Sequence, residues 1–133
     1  MGALSTQMQL ARMAAITHRR PAVLCPSSDG SRCEGGIDWG IGWIVFLDRN
    51  GNQQPDDGDR ILRVEHASPR ATLRLVGTSG RPRLRYLPDG RSAGSNLTVS
   101  VCNADGALLG AVIVNNVGRP RSFRPATPVP CPG

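Results

Sequence analysis

The stretch WGIGWIVFLD, Trp39 to Asp48, decides how the rest of the chain is arranged. It holds three of the chain's five aromatic residues, Trp39, Trp43 and Phe46, and interleaves the latter two with Ile44, Val45 and Leu47. A strand apolar at successive positions has both faces covered, which puts it inside a sheet rather than at an edge. The residues that follow, DRNGN (48–52), are turn formers that reverse the chain. Apolar side chains resume in RILRVE (60–65). The expected unit is a hairpin with a long polar loop at the centre of a β-rich domain.

Outward from that hairpin, residues 2–20 read as a helix in which Leu4, Met8, Ala11 and Ala15 form one stripe, stopped by Pro21. His18, Arg19 and Arg20 fall in its last turn, where positive charge favours the carbonyl end of the dipole, so His18 needs no ligand role. Short strands are expected at Ala22–Cys25, Ala71–Val76, Arg83–Leu87, Asn96–Cys102 and Leu109–Asn115. The last two are joined by the Asp105-Gly106 turn signal. Alternation turns Leu73, Leu75, Leu84 and Tyr86 or Leu87 to the core, and Arg74, Arg81, Arg83 and Arg85 outward as one row. The final GRPRSFRPATPVPCPG carries too many prolines for a helix or a central strand and is expected to run extended over the surface.

A chain of 133 residues is one domain by the usual prior. Its charge is polarised: residues 1–69 hold 7 Arg against 8 Asp and Glu, whereas residues 70–133 hold 9 Arg against 2 Asp, a net of +7 in the second half. All sixteen basic side chains are arginine, whose planar fork suits phosphate. Surface charge by itself still names no partner. Four cysteines allow three pairings, and none has zinc-site spacing. Cys25 with Cys33 would close a Ser- and Gly-rich loop, and Cys102 with Cys131 would tie down the C-terminal segment; such bonds imply an oxidising compartment. No transmembrane run or signal peptide is visible, and Met1-Gly2 leads straight into mid-helix sequence, so the natural N-terminus is expected upstream.

Catalytic chemistry finds no support. His18 and His66 lie among arginines, no nucleophile stands beside a base by spacing, and no helix follows a glycine-rich loop. Asp48, Asn50, Asn52, Gln54, Asp56 and Asp59 fall at positions 1, 3, 5, 7, 9 and 12 of a calcium-type loop. Gln53 stands where the sharp-turning glycine belongs and Asp59 where a bidentate Glu belongs, so a solvated hairpin loop accounts for them. No metal and no cofactor is expected.

The sharpest constellation is Gly118-Arg119-Pro120-Arg121, followed by Phe123 and Arg124. Gly118 lets the backbone leave the last strand and Pro120 stiffens the spacer. Arg119 and Arg121 then project a period of two apart, presenting guanidinium forks to a phosphate backbone. Phe123 is expected to plug the core rather than to stack on a base.

In order along the chain, QLARMAAI, VLCPSSDGSRC, WGIGWIVFLDRNGN, DDGDRILRV and a late strand followed by GRPR resemble the soluble part of GspH/FimT-type pilin-like proteins. The resemblance implies a leader and a hydrophobic helix upstream that anchor the protein in the inner membrane, a periplasmic head, and assembly with other pilins into a filament at the cell surface. In FimT-type minor pilins a GRxR motif in this position is associated with DNA binding in natural transformation. Gly118, Arg119 and Arg121 match that motif, with Arg124, Arg81, Arg83 and Arg85 as helpers. A GspH-type pseudopilin or assembly-priming pilin of purely structural role is the alternative. The expected fold is α+β: residues 1–20 as the end of a pilin helix, residues 21–133 as a head of two antiparallel sheets with about seven strands, and a disulfide-anchored tail over 117–133.

Overall fold

A computed structural model describes residues 2–48, 54–55, 59–66, 73–78, 82–93, 96–127 and 129–131. Helix α1, Gly2–His18, buries the expected stripe of Leu4, Met8, Ala11 and Ala15 and adds Ala14. It ends before Pro21 is reached, because Arg19 adopts a left-handed φ of 54° and the Arg20 N–H donates back to the Ala15 carbonyl at 3.3 Å.

Strand β1, Ala22–Pro26, pairs with β2, Gly42–Leu47, and β2 with β3, Arg60–His66, all antiparallel. Trp39 precedes the strand in a single tight turn, Trp39–Ile41, capped by Asp38. Strand β4 is Arg74–Val76 and β5 is Leu84–Tyr86; β6, Leu97–Cys102, and β7, Leu108–Val114, form the hairpin marked by Asp105-Gly106, and β8 is Pro120–Phe123. The strands make two four-stranded sheets, β3-β2-β1-β5 and β4-β6-β7-β8. Among the described residues there are thus eight strands, because part of the proline-rich tail joins the second sheet.

β2 is interior and covered on both faces. On one side Leu4 and Met8 of α1 pack with Leu24, Trp39, Val45, Tyr86, Leu97, Val99, Val112 and Val114, a core shared by both sheets. On the other, Ile44 and Phe46 pack with Val23, Cys25 and Cys33. Each fully buried large side chain contributes about 2 kcal/mol through burial. A polar chain fixes the helix over this core: Trp43 Nε1 donates to Gln7 Oε1 at 2.9 Å, and Gln7 Nε2 donates to Glu65 Oε2 at 3.2 Å.

Both expected disulfides are present, Cys25–Cys33 and Cys102–Cys131, with Cα atoms 5.6 and 5.8 Å apart. Two local expectations change. Leu73 is exposed and precedes β4, which holds three residues; residues 71 and 72 lie outside the described residues. The arginine row is split: Arg74 stands in the second sheet, while Arg83 and Arg85 flank or lie in β5 of the first. Most of the calcium-type loop lies outside the described residues. Gln54, its seventh position, is hydrogen bonded in both directions to the backbone of Cys33.

Candidate nucleic-acid interface

The segment from Gly118 to Cys131 is a strap clamped at both ends. At its start, the Gly118 N–H closes a turn onto the Asn115 carbonyl at 2.9 Å, and the backbone takes a φ of +95° that favours glycine. A Cβ at this position would collide with the Gly90 carbonyl oxygen and sit 3.1 Å from Tyr86 Cε1. The buried Tyr86 hydroxyl donates to the Gly118 carbonyl at 2.7 Å, tying the strap to the first sheet. Burial pushes the Tyr86 phenol well above its ordinary value against the opposing charge of Arg12, so the hydroxyl stays protonated and able to donate at neutral pH. At the far end, Leu108 N–H donates to Val129 O and Cys131 N–H to Gly106 O at 2.9 and 2.8 Å, beside the Cys102–Cys131 bond.

Between the clamps, β8 adds to the edge of the second sheet with Arg121 opposite Ile113 and Phe123 opposite Ala111. Pro120 is tolerated because it is the first residue of an outer strand. Arg119, Arg121 and Arg124 are exposed, and none has a carboxylate partner among the described residues. Phe123 is 49 % exposed and does not plug the core, because its neighbour Ser122, not Phe123, shares the face of buried Val112. Arg119 precedes the strand and lines a groove against α1, whereas Arg121 stands with Ile113 on the outer face of the sheet.

The remaining sequence candidates are placed differently. Gly118 lies against the end of β5 through Tyr86 and Gly90, so that strand does approach the strap. Arg83 and Arg85, however, alternate with buried Leu84 and Tyr86 onto the opposite face; they are half-buried, with their Nε atoms enclosed and without a hydrogen-bond partner among the described residues. Arg81 lies outside the described residues. What the sequence reading missed is Arg12, whose Nε donates to the Gly90 carbonyl at 3.0 Å, and the loop carrying Gly90 itself. Asp89-Gly90 is a legible turn signal, but nothing local says what that turn docks against.

A sequence profile for Type II transport protein GspH matches residues 2–118, the helix and both sheets short of β8. The chain belongs to the GspH family. Its fold is similar to that of the type IV minor pilin FimU of Pseudomonas aeruginosa strain PAO1. One crystal form gives a TM-score of 0.71 at 21% identity over 96% of this chain and 88% of that one. A second gives 0.70 at 20% identity over 96% and 93%. The minor pseudopilin EpsH from the Type 2 Secretion System of Vibrio cholerae is similar with a TM-score of 0.62 at 14% identity over 95% and 94%. At these identities the likeness is one of fold. No curated protein matches the chain in sequence. No described helix is long and apolar enough to cross a membrane.

Proposed function

We propose that this GspH-family head is a minor type IV pilin with no enzymatic role that binds DNA nonspecifically for uptake in natural transformation. The observation that carries the reading is the strap: exposed Arg119, Arg121 and Arg124, without a carboxylate partner among the described residues, held between the Gly118 clamp and the Cys102–Cys131 bond. Guanidinium forks on a pre-ordered segment can engage phosphates with little further loss of chain entropy. Arg83 and Arg85, half-buried on another face, add to the positive field more than to contacts, and Arg81 is assigned with them. In this reading α1 continues upstream into an inner-membrane anchor. The head is periplasmic first, then joins other pilins in a surface filament, where many copies supply the avidity that a few arginines lack.

Fluorescence anisotropy of labelled duplexes tests the proposal. Binding is expected to be micromolar or weaker, indifferent to sequence, and to weaken with salt by about 0.9 unit of log–log slope per phosphate contact. Arg119→Ala with Arg121→Ala is expected to abolish it with an unchanged circular dichroism spectrum, and the double Lys variant to fall between. Unchanged affinity and slope in the double Ala variant would overturn the reading. The second reading, a GspH-type pseudopilin or assembly-priming pilin contacting only other pilins, is favoured by one observation: the family match stops at Gly118, so membership alone does not extend to these arginines.

A further inference from the structure

Arg119 does not face open solvent alone. It lines a groove with Pro120 on one side and Gln9, Arg12 and Met13 of α1 on the other. We infer that Arg12 belongs to the same phosphate-binding surface, so that Arg12 and Arg119 together grip one phosphate of a bound nucleic acid at the junction of helix and strap. The inference rests on the DNA-binding reading and adds a residue on a different element.

Three observations support it. First, Arg12 is positioned by backbone: its Nε donates to Gly90 O at 3.0 Å, which leaves the terminal guanidinium nitrogens as the free end of the fork. The same Gly90 carbonyl packs against Gly118, so one residue sets the placement of Arg12 and of the residue preceding Arg119. Gly90 has a φ of +88°, and a Cβ there would stand 3.2 Å from Arg12 Nη2 and 3.0 Å from Ile16 Cδ1; only glycine leaves room for the guanidinium to lie against it. Second, the groove holds two guanidinium groups and no carboxylate among its lining residues. Helix α1 contains no Asp or Glu, and the nearby Asp89 is taken by Arg91, whose Nε lies 2.7 Å from its carboxylate. Like charges converging on one groove repel until an anion enters, and a phosphate offers each an acceptor. Third, the other walls suit a nucleotide: Gln9 carries an amide donor, while Met13 and Pro120 are apolar and can pack against a sugar or base. The footprint therefore turns from Arg121 on the sheet's outer face, through Arg119, onto the helix.

The wild-type chain is titrated by 1H–15N NMR with a short single strand, a short duplex and, separately, inorganic phosphate, following the Arg12 Nε–H and the Gln9 side-chain amide. Either form of DNA is expected to shift both signals saturably together with the strap amides. Arg12→Gln is expected to weaken DNA binding by about three- to tenfold and to lower the salt slope by about one unit, with Arg12→Lys intermediate. Because Arg12→Gln also removes the bond to Gly90, thermal melts accompany it, and the wild-type titration stands without any variant. If strap signals move with DNA while Arg12 and Gln9 stay still, the inference is overturned and DNA binding by the strap survives. Movement of neither set overturns both, and shifts with inorganic phosphate but not with DNA overturn the nucleic-acid assignment of the groove.

Discussion

Strands β5 and β8 are edge strands of their respective sheets, and both bring arginines at alternate positions, yet they treat them in opposite ways. On β5 the arginines lean on the sheet: Arg83 and Arg85 are half-buried, Arg85 opposite fully buried Val23, with their Nε atoms enclosed. The chain also folds back over that edge, since the Ala93 N–H donates to Arg85 O at 2.9 Å. In and beside β8 the arginines are exposed, Arg119 at the rim of the groove against α1, on a segment held at its two ends. Identical spacing thus yields a shielding role for the aliphatic stems in one strand and a presenting role for the charged heads in the other. The difference lies in what each strand is tied to.

The largest way to break this contrast is to release the strap. Replacing Cys102 and Cys131 by Ala removes a crosslink over a sequence separation of 29, against 8 for Cys25–Cys33. The chain-entropy estimate is about 3.6 kcal/mol for the longer loop and about 2.5 kcal/mol for the shorter. Urea unfolding of the two alanine pairs is expected to show that order. DNA affinity is expected to fall only with the first pair, because only that bond limits the freedom of the β8 arginines. Equal affinity in both would mean that the clamp does not order the strap.

Next comes the other clamp. Gly118→Ala places a methyl group into the Gly90 carbonyl and forces a left-handed φ on an L side chain. The combined strain and overpacking are expected to cost about 3 kcal/mol in urea unfolding and to weaken DNA binding as well. A loss under about 1 kcal/mol would show that the contact relaxes and that Gly118 is not a fixed point.

The smallest effect sharpens the comparison directly. Arg83→Ala with Arg85→Ala is expected to change stability by less than about 1 kcal/mol, since lost stem packing is offset by removal of the unpartnered Nε groups. Its salt slope for DNA is expected to drop by less than about one unit, where two full phosphate contacts would remove about two. A slope change as large as that of the β8 pair would make β5 a contact surface.

Much of the fold was legible because it is written locally. The double-sided burial of Ile44, Val45 and Phe46 follows from an unbroken apolar run. The stripe of Leu4, Met8, Ala11 and Ala15 follows from helical period. The β6–β7 hairpin follows from Asp105-Gly106, whose preceding Asn103 caps the turn by accepting from the N–H groups of Asp105 and Ala107. Both cysteine pairings were among the few possible and closed the two loops that most needed closing. The misses share one cause. Phe123 and Leu73 look like core residues by type, and Arg83 and Arg85 look like free charges, but burial of an edge residue depends on which element lies beside it.

By itself, then, the sequence determined the elements, the central hairpin, the polarised charge and the run Gly118 to Arg124, because period, turn chemistry and composition act over a few residues. Only the tertiary structure decided that Tyr86 and Gly90 would seize Gly118, that Arg12 would share a groove with Arg119, and that Arg121 would pair with Ile113 at the edge of the second sheet. Those outcomes depend on contacts between residues far apart in the chain. Such contacts are set by the packing of two sheets and a helix around one core, which no local pattern encodes.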